Sequence, residues 1–249
     1  STTGNTVTAS PATTTTYYAT GISADGCEAT DSVEIIVHPK PNLTYSLSQP
    51  SICNNDSLTI TMSGAATYDW YIGNTNLPFT GASATVSPSS NTTYTVIGTS
   101  ANGCLDTIDI PVTVNPLPVV APSAANHDIC IGDSVMLSAS GANTYTWSPA
   151  TSLNQNTGSN VMASPPATIT YTIVGTDING CSADTTTTVT VNPLPVVDAQ
   201  ASVNEICPGG STQLTATGAQ AYNWSPATGL SSTTGNTVTA SPATTTTYY

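Results

Sequence analysis

Positive charge is almost missing from this chain. One Lys or Arg faces 14 Asp and Glu across 249 residues, for a formal net charge of −13. That one residue is Lys40, and the two histidines are His38 and His127. Phosphate-backbone binding requires clustered Lys and Arg, so the composition argues against a nucleic-acid partner. It argues equally against a polybasic membrane anchor. Long apolar runs are missing too. None approaches the roughly 20 residues of a spanning helix, so no membrane insertion is expected. Phenylalanine occurs once, charged residues make up 6% of the chain, and no helical period is found. Surface polarity therefore falls to Thr, Ser and Asn.

Repetition is what the chain has in abundance. Ser1 to Tyr18 reads STTGNTVTASPATTTTYY, and Ser232 to Tyr249 reads the same at an offset of 231. This period divides further. Cys53, Cys130 and Cys207 step by 77 residues, as do Cys27, Cys104 and Cys181, and three steps make 231. Trp70, Trp147 and Trp224 keep the same step, as do Gly64, Gly141 and Gly218, and Tyr17, Tyr94, Tyr171 and Tyr248. A fixed period outranks any residue-level reading, because missing it misreads the fold. Four segments follow. Residues 1–38 are the last part of a module, 39–115 and 116–192 are whole modules, and 193–249 are the first part of another. A preceding copy is expected to complete the first segment and a following copy the last. Ser1 falls inside a module, so the opening residues say nothing about targeting. A module this small buries little core alone and relies on staples or neighbours.

The module from Pro116 to Asn192 shows the pattern best. Pro116-Leu117-Pro118 stiffens the junction, and an extended stretch begins at Val119. Cys130 to Asp133 reads as a turn. Ser134 to Ser140 alternates, with Val135, Leu137 and Ala139 on one face, as a half-buried strand does. Gly141 marks a turn, and Tyr145-Thr146-Trp147 is a strand with Trp147 as core anchor. Val161 to Ser164 is a short strand, and Thr168 to Thr176 is a β-branched strand carrying Tyr171. Asn179-Gly180 predicts a two-residue hairpin turn. Cys181 to Val191 is the last strand, with Val189 and Val191 inward. Leu58, Ile60 and Met62 repeat the alternation in the preceding module, and Val33, Ile35 and Val37 repeat the last strand in the first segment. About seven short strands per module, with turn signals every 8 to 12 residues, predict an all-β chain of antiparallel β-sandwiches.

Certain strings make the reading more specific. They are Ile129 to Leu137 (I-C-x-G-D-S-V-x-L), Tyr145 to Pro149 (Y-x-W-S-P), Ser164 to Tyr171 and Asn179 to Cys181. Together they resemble the tandem Ig-like, or PKD-like, modules of giant cell-surface proteins of Bacteroidota, and the resemblance covers the whole chain. It implies an extracellular, tandemly repeated adhesin, stalk or filament on a bacterial cell surface. It supplies no catalytic residues.

Cys27, Cys53, Cys104, Cys130, Cys181 and Cys207 suit structural disulfides in an oxidising, extracellular setting. Zinc needs close ligand pairs such as C-x2-C, and no two cysteines lie that close. Pairing within a module would join Cys53 to Cys104 and Cys130 to Cys181. An Ig-type topology points elsewhere. There the early cysteine and the last hairpin lie at opposite ends of the sandwich, about 30 Å apart over a strand of ~10 residues. A disulfide needs Cα atoms within ~7 Å. The early cysteine of one module would then meet the hairpin cysteine of the next. That joins Cys53 to Cys181, Cys130 to Cys27 of the following period, and Cys207 to Cys104 of it.

Asp followed by Ser or Thr recurs at Asp31-Ser32, Asp56-Ser57, Asp106-Thr107, Asp133-Ser134 and Asp184-Thr185. It resembles the O-glycosylation signal of secreted Bacteroidota proteins, so Ser32, Ser57, Thr107, Ser134 and Thr185 are candidate glycan acceptors. Asp and Ser also start strands simply because they suit turns. Acidic residues gather at Asp25, Glu28 and Asp31, at Asp128 and Asp133, and at Asp198 and Glu205. Calcium at module junctions would need six to eight oxygen ligands, and no EF-hand spacing is present. No other cofactor is implied. His38 and His127 do not recur with the period and sit in no nucleophile motif, so no enzyme activity is expected.

The sequence therefore reads as a structural or adhesive surface protein whose partners are further copies of itself, end to end, with covalent glycans. Two arrangements are open: one long covalent array, which the duplicated 18 residues favour, or subunits completing each other by strand complementation. A carbohydrate-binding array is the alternative of another class. It would use an exposed aromatic cluster, for which Tyr71 and Phe79 are the candidates.

Overall fold

The computed structural model describes residues 5–249. The first four residues of the duplicated stretch, and of the segment 1–38, lie outside the described residues. Every regular element among the described residues is a β-strand. The chain falls into two compact units. The first runs to Val119 and takes in Gly175–Ala183; the second comprises Val120–Val174 and Asp184–Tyr249.

The first unit contains a two-layered sandwich. Alternation drives it: Leu58, Ile60 and Met62 are buried along the strand Leu58–Ser63, while Thr61 and Ser63 face water. That strand lies between Thr44–Leu47 and Ser83–Val86, antiparallel to both. The facing sheet runs Leu105–Val112, Thr92–Thr99, Thr67–Ile72, Thr75–Asn76. Trp70, Tyr94, Val96, Ile110 and Val112 point from it into the same core. Removing each such side chain from water contributes roughly 1.5–3 kcal/mol before entropy is counted. One pairing departs from the antiparallel expectation. Ile52–Cys53 runs parallel to Val114–Asn115, which ties the early cysteine to the last strand of its own module.

The hairpin Thr15–Ile22 with Glu28–Ile35 also belongs to this unit. Its sequence equivalents 77 residues on, Tyr94, Ile110 and Val112, are core residues. Here Tyr17, Val33 and Ile35 are 38%, 58% and 37% exposed.

In the second unit Val135–Ser140 pairs with Ala121–Pro122 and Asn160–Ala163. The companion sheet runs Asn126–Cys130, Ser182–Asn192, Ile169–Thr176, Thr144–Ser148, its first pair parallel. Leu137, Trp147, Tyr171, Ile173 and Val189 form the core. Residues 193–249 form only part of this plan. Asp198–Ala201, Thr212–Thr217 and Thr237–Ala240 make one sheet, with Leu214, Ala216, Trp224, Val238 and Ala240 buried against it.

The hairpin turn read at Asn179-Gly180 is corrected. Asp177 N–H bonds Cys181 O, so the loop holds the three residues Ile178 to Gly180. A two-residue type I′ turn requires positive φ at both central positions. Gly180 has it, at 83°, and Asn179 does not. The Asp177 carboxylate supports the longer loop by accepting the N–H groups of Asn179 and Cys181, each at 2.8 Å, and the same loop forms at Ser23–Cys27 and Ser100–Cys104.

Candidate functional site

The chemistry of this chain lies in how it presents its cysteines. The hairpin cysteines share one backbone frame. Gly26, Gly103 and Gly180 each close a turn onto the residue three positions earlier, namely Ser23, Ser100 and Asp177. A side-chain oxygen of that same residue accepts the N–H of Cys27, Cys104 or Cys181. The early cysteines share a second frame. Asp56, Asp133 and Gly210 donate their N–H groups to the carbonyls of Cys53, Cys130 and Cys207. The third residue of each turn, Asn55, Gly132 or Gly209, has positive φ, as a type II turn requires. The two frames therefore hold the six cysteines in recurring local geometry.

One pair is bonded: Cys53 to Cys181, with Cα atoms 5.5 Å apart. This bond leaves neither partner for Cys104 or Cys130, so the pairing within modules does not occur. Cys181 is buried. Cys27, Cys130 and Cys207 are exposed and Cys104 is half-buried, all four as thiols.

The glycan candidates separate by exposure. Ser32, Ser57, Thr107 and Ser134 are exposed. Thr185 is half-buried, on the strand face that carries Thr187 and Val189 inward. Among the described residues, no three His, Cys, Asp or Glu side chains gather as a metal site would require. His38 contacts Asn102 through Nδ1 at 3.2 Å, and Nε2 of His127 is buried without a hydrogen-bond partner. The Cys104 thiol lies 3.6 Å from the carbonyl oxygen of His38. Phe79 packs edge-on against Trp70, with ring centroids 6.1 Å apart, and Tyr71 is half-buried. The two do not form an exposed aromatic platform.

Several side-chain hydrogen bonds that organise the repeats were not anticipated by patterning. Tyr68, Tyr145 and Tyr222 each use one hydroxyl to bond both backbone groups of the alanine three positions before, Ala65, Ala142 and Ala219. The recurring Gly-Ala-x-x-Tyr string was the available signal. The indole N–H groups of Trp70, Trp147 and Trp224 donate to Gly81, Gly158 and Gly235. Thr187 is a buried polar residue, and its hydroxyl donates to Ala124 O at 2.9 Å.

Residues 193–249 carry a groove of about 740 Å³, lined by Cys207, Leu214, Trp224 and Tyr248 among others. The chain's last residues enter its rim. Ser225 and Tyr249 exchange two backbone hydrogen bonds of 3.0 and 2.7 Å, and Tyr248 donates its hydroxyl to Thr228 O.

Residues 39–116 match the family described as Ig-like domain, CHU_C associated. The sequence matches no curated protein. Among solved structures, the I-band fragment I67–I69 from titin is similar at 12% identity, with 82% of this chain and 89% of that one covered and a TM-score of 0.37. The fibronectin(III)-like modules of Clostridium thermocellum CbhA are similar at 9% identity, with 60% and 95% covered and a TM-score of 0.32. A Ca²⁺-stabilised adhesin with which an Antarctic bacterium reaches out and binds ice is similar at 12% identity, with 92% and 74% covered and a TM-score of 0.36. Residues 39–116 are thus an Ig-like domain in an all-β chain of antiparallel sheets.

Proposed function

We propose that this chain is a repeat unit of an extracellular structural and adhesive protein, displayed as a filament or stalk on a bacterial cell surface. The observation that carries the reading is the Cys53–Cys181 disulfide, which joins cysteines 128 residues apart. Counted in 77-residue modules, Cys53 belongs to 39–115 and Cys181 to 116–192. A bond from one repeat to the next resists extension of a tandem array. Disulfides of this kind belong to oxidising compartments. The even spread of features over the repeats, with no cluster of three His, Cys, Asp or Glu side chains among the described residues, supports a mechanical task over an enzymatic one.

O-glycans on Ser32, Ser57, Thr107 and Ser134 belong to the same proposal. They would hydrate a surface on which charges are scarce. Thr185 faces inward and is left out. The carbohydrate-binding alternative loses its support with Phe79 packed against Trp70.

Immunogold labelling of intact cells, followed by negative-stain microscopy of sheared surface material, tests the reading. The expected result is labelled filaments, with sites spaced by about 100 Å for three modules of ~30–40 Å. Label confined to the cell interior would overturn it.

A further inference from the structure

We infer that the free edge of the strand Ser83–Val86, inside the whole repeat 39–115, docks a second copy of this chain. The second copy adds its own Ser83–Val86 strand, antiparallel, across a two-fold axis. The inference rests on the tandem-array reading and deepens it, since such a joint bundles arrays side by side.

The other repeats cover the equivalent edge with their own chain. In 116–192, Asn154 N–H donates to Met162 O at 3.0 Å, and Asn154 Oδ1 accepts Met162 N–H at 2.7 Å. In 193–249, Ser231 does the same for Thr239, at 2.8 and 2.9 Å. Single bridges from Leu153 to Ala163 and from Leu230 to Ala240 extend the cover. In 39–115 the equivalent residues, Asn76 and Leu77, go elsewhere. Thr75–Asn76 pairs with Thr67–Ile72 of the facing sheet, and Leu77 N–H donates to Trp70 O at 2.8 Å. The sequence gives the reason. Pro149 and Pro226 stop their strands because proline has no N–H to continue a ladder. Ile72 stands in that place, and Gly73, at φ 56°, turns the strand back into a hairpin. Chain that covers the edge in the other repeats is here spent on the opposite sheet.

The register shows what the edge offers. Met62 N–H donates to Ala82 O, and Ile60 and Leu58 pair with Ala84 and Val86. Main-chain direction alternates along an antiparallel strand, so Ser83, Thr85 and Ser87 turn their N–H and C=O groups away from the sheet. All three residues are exposed. Among the described residues, no group bonds their main chain on that side. A bare strand edge is a template for another strand.

Charge and symmetry select a second copy as the occupant. Two chains of net charge −13 repel, and must meet on neutral ground. Residues 70–105 contain no Asp, Glu, Lys, Arg or His. The edge is also complementary to itself. With the axis at Thr85, Thr85 faces Thr85 and Ser83 faces Ser87, each pair exchanging N–H and C=O. Ala84 faces Val86, which continues the buried face. Hydroxyls meet hydroxyls on the outer face, as Thr59 Oγ1 already meets Thr85 Oγ1 at 3.1 Å within the sheet. This self-matching is what a two-fold interface requires. So short an edge binds weakly alone, but an array that presents it once in every 231 residues multiplies the effect.

The test uses the full 249-residue chain with Cys27, Cys104, Cys130 and Cys207 changed to Ala, so that disulfides between copies cannot mimic the joint. Sedimentation equilibrium is expected to show a reversible monomer–dimer equilibrium. Thr85→Pro removes one outward N–H at a place where an edge strand tolerates proline, and Thr85→Lys adds a charge. Each is expected to raise the dissociation constant at least tenfold with unchanged circular dichroism. Ser46→Lys, exposed on the opposite edge strand of the same sheet, should leave it within twofold. T85C chains are expected to oxidise to a disulfide-linked dimer, since facing Cα atoms in such a pair lie about 5.5 Å apart. A dimer indifferent to both T85P and T85K, or T85C chains that stay unlinked, would overturn the proposal. So would a chain monomeric at millimolar concentration, which leaves the edge to a foreign strand or to none. Labelled filaments on cells with only monomer in solution would overturn this joint and leave the tandem-array reading standing. The dimer in solution with label confined to the cell interior would do the reverse.

Discussion

Cys53 and Cys181 lie 128 residues apart in the chain and 5.5 Å apart between Cα atoms. A cross-link of that span removes much of the unfolded chain's freedom. The chain-entropy estimate for such a loop is about 5 kcal/mol. The C53A/C181A variant is therefore expected to lose up to about 5 kcal/mol in urea unfolding. Wild type treated with reductant should match it, and reductant should not shift the variant further.

Gly64 sits at φ +100°, and a Cβ there would lie 1.9 Å from the carbonyl oxygen of Asn42. Gly64→Ala thus combines backbone strain with a collision against main chain. Gly103, at φ +80° with open space around it, carries the strain alone. Strain of this kind costs about 1–3 kcal/mol. Urea midpoints should place G64A well below G103A, and G103A modestly below wild type.

The Tyr145 hydroxyl accepts from Ala142 N–H at 2.7 Å and donates to Ala142 O at 2.8 Å. Tyr145→Phe keeps the ring in the core and strands both backbone groups. The expected loss is about 1–3 kcal/mol, with the strand content by circular dichroism unchanged. Tyr145→Leu should cost more, since the ring is lost as well.

Burial raises the pKa of Tyr94 and Tyr171 above the usual phenol value of 10.0. The folded chain holds these protons more tightly than the unfolded chain. Their contribution is therefore complete below pH ~10 and declines as pH rises through the raised folded values. Unfolding free energy should be flat on this account from neutral pH to ~10 and fall above it. Y171F should flatten part of that fall.

Much of this was readable from local pattern. Leu137 and Ala139 announce an inward face by alternation, and Trp147 and Tyr171 recur at core positions because every copy needs the same anchor. What local pattern misses is non-local or competitive. The parallel pairing of Ile52–Cys53 with Val114–Asn115 joins residues some 60 positions apart, and no short window contains that information. At Asn179-Gly180 the dipeptide suggests a two-residue turn, but a side-chain oxygen at the first loop position, Asp177 here and Ser23 or Ser100 in the other repeats, accepts the cysteine N–H and accompanies a three-residue loop in each. Thr187 lies in a threonine tract that looks outward-facing, and only the parity set by Val189 shows that it is buried. For the cysteines, spacing gave the period, but the partner of Cys53 depended on where the ends of two modules lie. That is a property of the topology.

Peptide mapping of native surface material, digested without reductant, tests the central claim most directly. The account predicts Cys53 joined to Cys181 and Cys130 joined to Cys27 of the following period, so that each bond runs from one repeat to the next. Cys53 joined to Cys104 and Cys130 to Cys181 would contradict it, because every repeat would then be closed on itself.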